Sequence, residues 1–242
     1  MLSELGGRFE NPGCISSNRW FCTVALSRRS TYFSTSRTKL PALVWLHGGL
    51  GGATLNEFDP AIQYFVANGF VVLAPNYRTS TGFGPALADL KSVTSGERIV
   101  EDIAASVDYL KTLETVDSSK LALYGFSFGG WVTLRTLTVR PHLFAAAIDL
   151  SGLADLRRYY KLEPSLLNSI MGGPPEQLPE RYHVESPIDF INRLSTPLLV
   201  ICGKSDLIFS QATELVSALK HAGKDYEFVP YPGEGHLFEN AA

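Results

Sequence analysis

Beyond Pro41 the hydrophobic and polar positions alternate between two rhythms. Ala42 to Leu46 and Phe70 to Ala74 are short, nearly all-apolar runs bounded by Gly or Pro, the pattern of strands covered on both faces in a mostly parallel sheet. Between them Glu57 to Asn68 predicts a helix closed by Gly69. The unit recurs: Ile99, Ile103, Val107, Leu110 and Leu113 mark one face of a long helix, followed by a strand over Leu121 to Tyr124, a helix over Phe128 to Val139 and a strand over Phe144 to Leu150. Pro197 to Cys202 and Tyr226 to Pro230 read as two further strands around a helix from Gln211 to Ala222 that Gly223 ends. Such alternation predicts an α/β fold, a doubly wound, mostly parallel sheet with helices on both faces.

Two stretches leave the rhythm. From Asn11 to Asn56 there is no acidic residue, while Arg19, Arg28, Arg29, Arg37 and Lys39 stand among many Ser and Thr, a composition shared with organelle transit peptides. The alternation in Trp20 to Leu26 favours instead a pair of edge strands, so residues 1–40 read as edge strands or a poorly ordered segment. From Ser151 to Ser195 the density of Pro, Gly and Tyr is too irregular for a plain βα unit, and this interval is expected to form a small cap-like excursion at the carboxyl edge of the sheet.

Composition narrows the class. The 242 residues suffice for one large domain spanning 1–242, and 45% apolar with 19% charged residues describes a globular chain without a membrane span. A net charge of -3 supplies no positive field for a polyphosphate backbone, so nucleic acid is not an expected partner. Cys14, Cys22 and Cys202 cannot all pair and match no metal cluster, which reads as reduced thiols in a cytoplasmic protein.

The chemistry concentrates in Gly125-Phe126-Ser127-Phe128-Gly129-Gly130, placed between a predicted strand and a predicted helix. A serine hydroxyl becomes a useful nucleophile when a tight turn exposes it near a base, and the flanking glycines permit that turn. This is the G-x-S-x-G nucleophile elbow of α/β-hydrolases, in which the acid and the histidine follow in that order on loops at strand ends. Gly203-Lys204-Ser205-Asp206 follows one late strand and Gly233-Glu234-Gly235-His236 the next, making Asp206 the candidate acid and His236 the candidate base. Asp149 and Asp155 are the competing acids, while His142, His183 and His221 follow no late strand. Asp102, on the long helix, reads as a structural partner of backbone or basic groups.

Oxyanion donors complete such a site. One is the N–H of Phe128 at the start of the helix; the second falls in Trp45-Leu46-His47-Gly48-Gly49-Leu50-Gly51-Gly52, with Gly49 preferred over Gly48 and His47 orienting the loop. No phosphate-cradling or dinucleotide motif is present, and neither a metal nor an organic cofactor is expected.

With these residues placed, the stretch from Pro41 to Phe238 resembles the catalytic domain of the prolyl oligopeptidase group of α/β-hydrolases, especially its acylaminoacyl-peptidase-like branch. The resemblance also rests on Asn76-Tyr77-Arg78-Thr79-Ser80-Thr81-Gly82-Phe83-Gly84, Ser186-Pro187-Ile188-Asp189, Thr196-Pro197-Leu198-Leu199 and Gly233-Glu234-Gly235-His236-Leu237-Phe238. It implies Ser127, Asp206 and His236 as the triad and the N–H groups of Gly49 and Phe128 as oxyanion donors. Those peptidases usually carry a β-propeller ahead of the hydrolase domain, which forty residues cannot encode, and Leu50 stands where the group often has Pro. The sequence reading therefore favours a serine carboxylesterase for short-chain or aryl esters, with Phe83, Phe126, Phe128, Tyr159 and Tyr160 near the cleft. Its alternative is an aminopeptidase or acylaminoacyl peptidase acting on short peptides. A non-catalytic binding protein on the same fold is the third reading. The expected partner is a small ester or short peptide, and the sequence leaves an oligomer open.

Overall fold

The computed structural model describes residues 8–10, 24–28, 39–88 and 96–240. Among the described residues eight strands form one sheet in the order β1-β2-β4-β3-β5-β6-β7-β8. They are β1 (Arg8–Glu10), β2 (Val24–Arg28), β3 (Leu40–Leu46), β4 (Val71–Pro75), β5 (Val116–Phe126), β6 (Ala146–Leu150), β7 (Leu198–Gly203) and β8 (Tyr226–Tyr231). From β4 to β8 every neighbouring pair is parallel; β1 and β2 add an antiparallel edge. The edge strands coincide with part of the N-terminal stretch read as strands, whereas Trp20 to Thr23, Cys14 and Cys22 lie outside the described residues.

The all-apolar strand runs are explained by burial on both faces. Ala42, Val44 and Leu46 of β3 join Val71 and Leu73 of β4 in the larger core, while Leu43 and Trp45 join Val72 and Ala74 on the opposite face. Helix α1 (Pro60–Ala67) covers the smaller core through Ile62 and Val66. Helices α2 (Gly96–Thr112), α3 (Phe128–Val139) and α7 (Phe209–His221) supply residues to the larger one.

Helix α1 begins three residues later than the periodicity from Glu57 predicts. Pro60 holds the preceding Asp59 in an extended conformation (φ -115°, ψ 115°), and the Asp59 carboxylate caps the N–H groups of Ala61 and Ile62. Strand β5 begins earlier than predicted, at Val116, because the polar run Asp117 to Lys120 stays extended at the exposed rim before the chain enters the sheet at Leu121.

Residues 151–195 are more regular than the sequence reading allowed. They hold helices α4 (Leu156–Tyr160), α5 (Pro164–Met171) and α6 (Pro179–Val184), then a 3-10 helix, Pro187–Arg193. The prolines that obscure the pattern open elements here: Pro164, Pro179 and Pro187 each stand in a first turn, and Gly172 closes α5 at φ 85°. The excursion is anchored on α3. The indole N–H of fully buried Trp131 donates to the Glu185 carbonyl at 2.8 Å, and Arg135 pairs with the Glu185 carboxylate at 3.3 Å, both side chains buried.

Candidate active site

Ser127 sits between β5 and α3 at φ 55° and ψ -113°, a conformation costly for a residue with a β-carbon. The surroundings hold it there. Its N–H donates to the Leu150 carbonyl of β6 at 2.8 Å, and the Trp131 N–H of α3 donates to its carbonyl at 3.1 Å. The neighbouring glycines serve close approach: a β-carbon on Gly125 would stand 2.0 Å from the Gly129 carbonyl oxygen, and one on Gly129 would stand 2.6 Å from the carbonyl oxygens of Leu46 and His47.

The three residues that the sequence places on distant loops form one hydrogen-bonded line. His236 Nε2 lies 2.9 Å from Ser127 Oγ, and its Nδ1 lies 2.8 Å from Asp206 Oδ2. Because a carboxylate only accepts, the line defines Nδ1–H as donor to Asp206 and leaves Nε2 to accept the serine proton. Asp206 is buried, and burial opposes its charge. Hydrogen bonds from His236 and the Ile208 N–H, helped by the Ser151 hydroxyl, outweigh that and hold the carboxyl below its ordinary pKa.

Asp149, Asp155 and the other histidines are employed elsewhere. Asp149 is the last residue but one of β6, fully buried against the main chain of Gly130 and Gly152, and burial raises its pKa to about 7. Asp155 caps α4 and binds Arg157 at 2.8 Å. His142 meets Ser195, His183 pairs with Asp189, and His221 bonds the Ser217 carbonyl.

The glycine-rich loop after β3 is braced by residues that the sequence reading quoted only as a family phrase. The phenol of fully buried Tyr77 donates to the His47 carbonyl at 2.6 Å, and its ring stacks on the His47 imidazole at 4.5 Å. His47 Nε2 lies 2.8 Å from Ser80 Oγ, in keeping with a loop-orienting histidine; burial pushes its pKa down, partly offset by a bond to the Gly48 carbonyl. Asn76 clamps Thr54 through N–H···O bonds of 2.7 and 2.9 Å, and Thr81 donates to the Gly51 carbonyl at 2.5 Å. Arg78 meets Asp102 at 2.9 and 3.1 Å, and Asp102 also accepts the Arg78 N–H, the structural role expected for it. Gly49 lies in this braced loop at φ 80°, and Phe128 follows Ser127 as the first residue of α3.

Beside the triad opens a cavity of about 270 Å³. Ser127, Asp206 and His236 line it, with Leu153, Tyr159, Leu162, Glu163, Leu207 and Ile208 as its remaining principal walls. Of the five aromatics expected near the cleft, Tyr159 lines this cavity; Phe128 stacks on Trp131, Tyr160 packs on Tyr182, Phe126 lies 5.2 Å from the His236 ring, and half-buried Phe83 is not among the residues that line it. A larger recess of about 480 Å³, walled by Gln177 to Arg181, Val184 and Glu185, contains none of the triad.

The prolyl oligopeptidase family matches residues 56–242. The chain belongs to that family of serine hydrolases. Its relatives include proteins named as dipeptidyl peptidases and as acylamino-acid-releasing enzymes. It is 29% identical over 205 residues to dipeptidyl peptidase family member 6 of Caenorhabditis elegans, covering 80% of this chain and 28% of that protein. It is 27% identical over 210 residues to acylamino-acid-releasing enzyme 1 of Oryza sativa subsp. japonica, covering 81% of this chain and 27% of the relative. Among solved structures, a puromycin-hydrolyzing peptidase of Mycobacterium tuberculosis superposes with TM-score 0.85 at 25% identity, over 97% of this chain and 37% of that one. The acylaminoacyl peptidase of Pyrococcus horikoshii shares the fold, with TM-score 0.80 at 22% identity over 88% of this chain and 35% of that one. The chain thus spans under a third of the curated relatives' length. Among the described residues no helix is long and apolar enough to cross a membrane, and no group of three or more His, Cys, Asp or Glu is arranged to hold a metal ion.

Proposed function

We propose that this chain is the catalytic domain of a serine peptidase that cleaves short peptides through an acyl-enzyme. The observation that carries the reading is the line of hydrogen bonds from Asp206 through His236 to Ser127, opening on a cavity. Ser127 Oγ attacks the scissile carbonyl carbon as His236 Nε2 takes its proton, and Asp206 stabilises the imidazolium through Nδ1–H. The N–H groups of Gly49 and Phe128 bind the tetrahedral oxyanion. Collapse of the intermediate breaks the C–N bond, and His236 returns the proton to the leaving amine. Water then attacks the acyl-enzyme with His236 again as base, releasing the carboxylic acid and restoring Ser127.

The names of the relatives favour peptides over the carboxylic esters that the sequence reading put first. Ester cleavage uses the same steps with an easier leaving group, so esters serve as convenient probes. Ser127→Ala should lower hydrolysis of aminoacyl anilides by at least about 10³-fold and abolish labelling by a serine-reactive phosphonate. Undiminished turnover or labelling in that variant rejects the proposal, and a wild type that cleaves activated esters but no anilide returns it to the esterase reading.

A further inference from the structure

The cavity beside Ser127 has one charged wall that the proposed chemistry leaves unused. Glu163 lines it, exposed to solvent and outside every ion pair formed among the described residues. The nearby cations of the excursion are committed elsewhere: Arg157 binds Asp155 and Asp189, each at 2.8 Å, and Arg158 binds Glu214 at 2.5 Å. Lys161, two positions earlier in the chain, makes no ion pair with Glu163.

Tyr159 lines the same cavity as Glu163 and the triad. Its phenol is held in the neutral form chiefly by burial and further by the negative charges of Glu163 and Asp206, which places the hydroxyl within the field of both carboxylates. Apart from Ser205, the rest of the wall is aliphatic, from Leu153, Ile208 and the exposed side chains of Leu162 and Leu207. An aliphatic surface that ends at an unpaired carboxylate, with an aromatic face alongside, is complementary to a hydrocarbon stem bearing a positive head.

Resting on the hydrolase reading, we propose that Glu163 makes this cavity selective for acyl groups that carry a positive charge. The charge can come from a lysyl or arginyl side chain or from the free ammonium of an aminoacyl group, and Glu163 acts on either by pairing with it beside Tyr159.

Four anilides separate the sources: acetyl-arginine, its neutral isostere acetyl-citrulline, free leucine and acetyl-leucine, each assayed with wild type and Glu163→Gln. Hydrolysis of any of them by the wild type, absent from Ser127→Ala, tests the peptidase reading by itself. Ratios within a pair test Glu163: arginine and citrulline are near-isosteres, and the bulk that acetylation adds to leucine is the same in wild type and Glu163→Gln, so it drops out of the comparison between them. A wild-type kcat/KM ratio of about 10 or more within either pair, falling to about 3 or less in Glu163→Gln and shrinking with added salt, supports the proposal. The arginine–citrulline pair identifies a side-chain cation, the leucine pair an ammonium. Equal turnover of charged and neutral members in the wild type overturns the proposal, as does a preference that survives Glu163→Gln.

Discussion

Gly203 and Glu234 approach so closely that a β-carbon on Gly203 would stand 2.3 Å from the Glu234 carbonyl oxygen. This contact sets the spacing of the two loops that carry Asp206 and His236. The Ser205 N–H donates to the same Glu234 carbonyl at 2.9 Å, and the Lys204 N–H donates to the Tyr231 carbonyl at 2.9 Å, so the loops are laced along their length. Gly203→Ala should push the His236 loop outward while leaving the core intact. Because misplacing a catalytic group by about 1 Å costs roughly 10²-fold, kcat/KM for an ester or anilide should fall by that order, beside a stability loss of about 1–3 kcal/mol from the backbone overlap. Unchanged kinetics would show that the triad tolerates separation of its loops.

The brace on the glycine-rich loop offers a different test. Tyr77→Phe removes the donor to the His47 carbonyl and leaves that carbonyl short of a partner in a part-buried place. About 1–2 kcal/mol of stability should be lost. If the loop supplies an oxyanion donor through Gly49, the kinetic loss should fall on kcat, about tenfold, with KM almost unmoved, since that contact forms only in the transition state. A rise in KM at constant kcat would assign the loop to substrate binding instead.

The parts of this design that local pattern reveals are those in which one residue's neighbours in sequence are also its neighbours in space. Gly125-Phe126-Ser127-Phe128-Gly129 declares an elbow because the strand, the turn and the helix are contiguous, and the strands of the sheet declare themselves because both their faces are buried. Asp206 and His236 were legible through a rule of order along the chain, with glycines marking the loops. The brace was not. Tyr77 reaches a carbonyl thirty positions back and Arg78 a carboxylate twenty-four positions on, and neither spacing carries a periodic signal. The excursion misled for a local reason: its prolines stand in first turns, where proline favours a helix, yet they read as breakers when the helices are only five to eight residues long.

Asp102 is 4% exposed and serves Arg78 twice, at its guanidinium and at its backbone N–H. Asp102→Ala strands both donors. Removing one partner of a fully buried pair costs about 3–5 kcal/mol, and because the Arg78 side chain is 18% exposed the expected loss is smaller, about 2–3 kcal/mol in chemical unfolding. Replacing both partners with aliphatic residues in Arg78→Met/Asp102→Leu should recover part of it. A double variant less stable than the single one would show that the pair contributes more than its own desolvation costs.

Asp149 produces the opposite pH response to Asp206. It is fully buried, and one of its carboxyl oxygens has no hydrogen-bond partner among the described residues, so burial raises its pKa to about 7 from an ordinary value near 4. Between those values the unfolded chain has released a proton that the folded protein keeps, so this group's contribution to stability falls as pH rises from 4 to 7 and is level above. Asp206, with its pKa held down, contributes stability that is lost as pH falls, and it is common to wild type and variant. Asp149→Asn keeps an acceptor for the Gly152 N–H but cannot ionise. Its stability relative to wild type should therefore be greater at pH 8 than at pH 4, by roughly 2–4 kcal/mol, read from urea unfolding at unit steps of pH. Parallel curves would mean that the folded protein already holds Asp149 as a carboxylate near pH 4, and that the cleft between Gly130 and Gly152 solvates a charge far better than its burial implies.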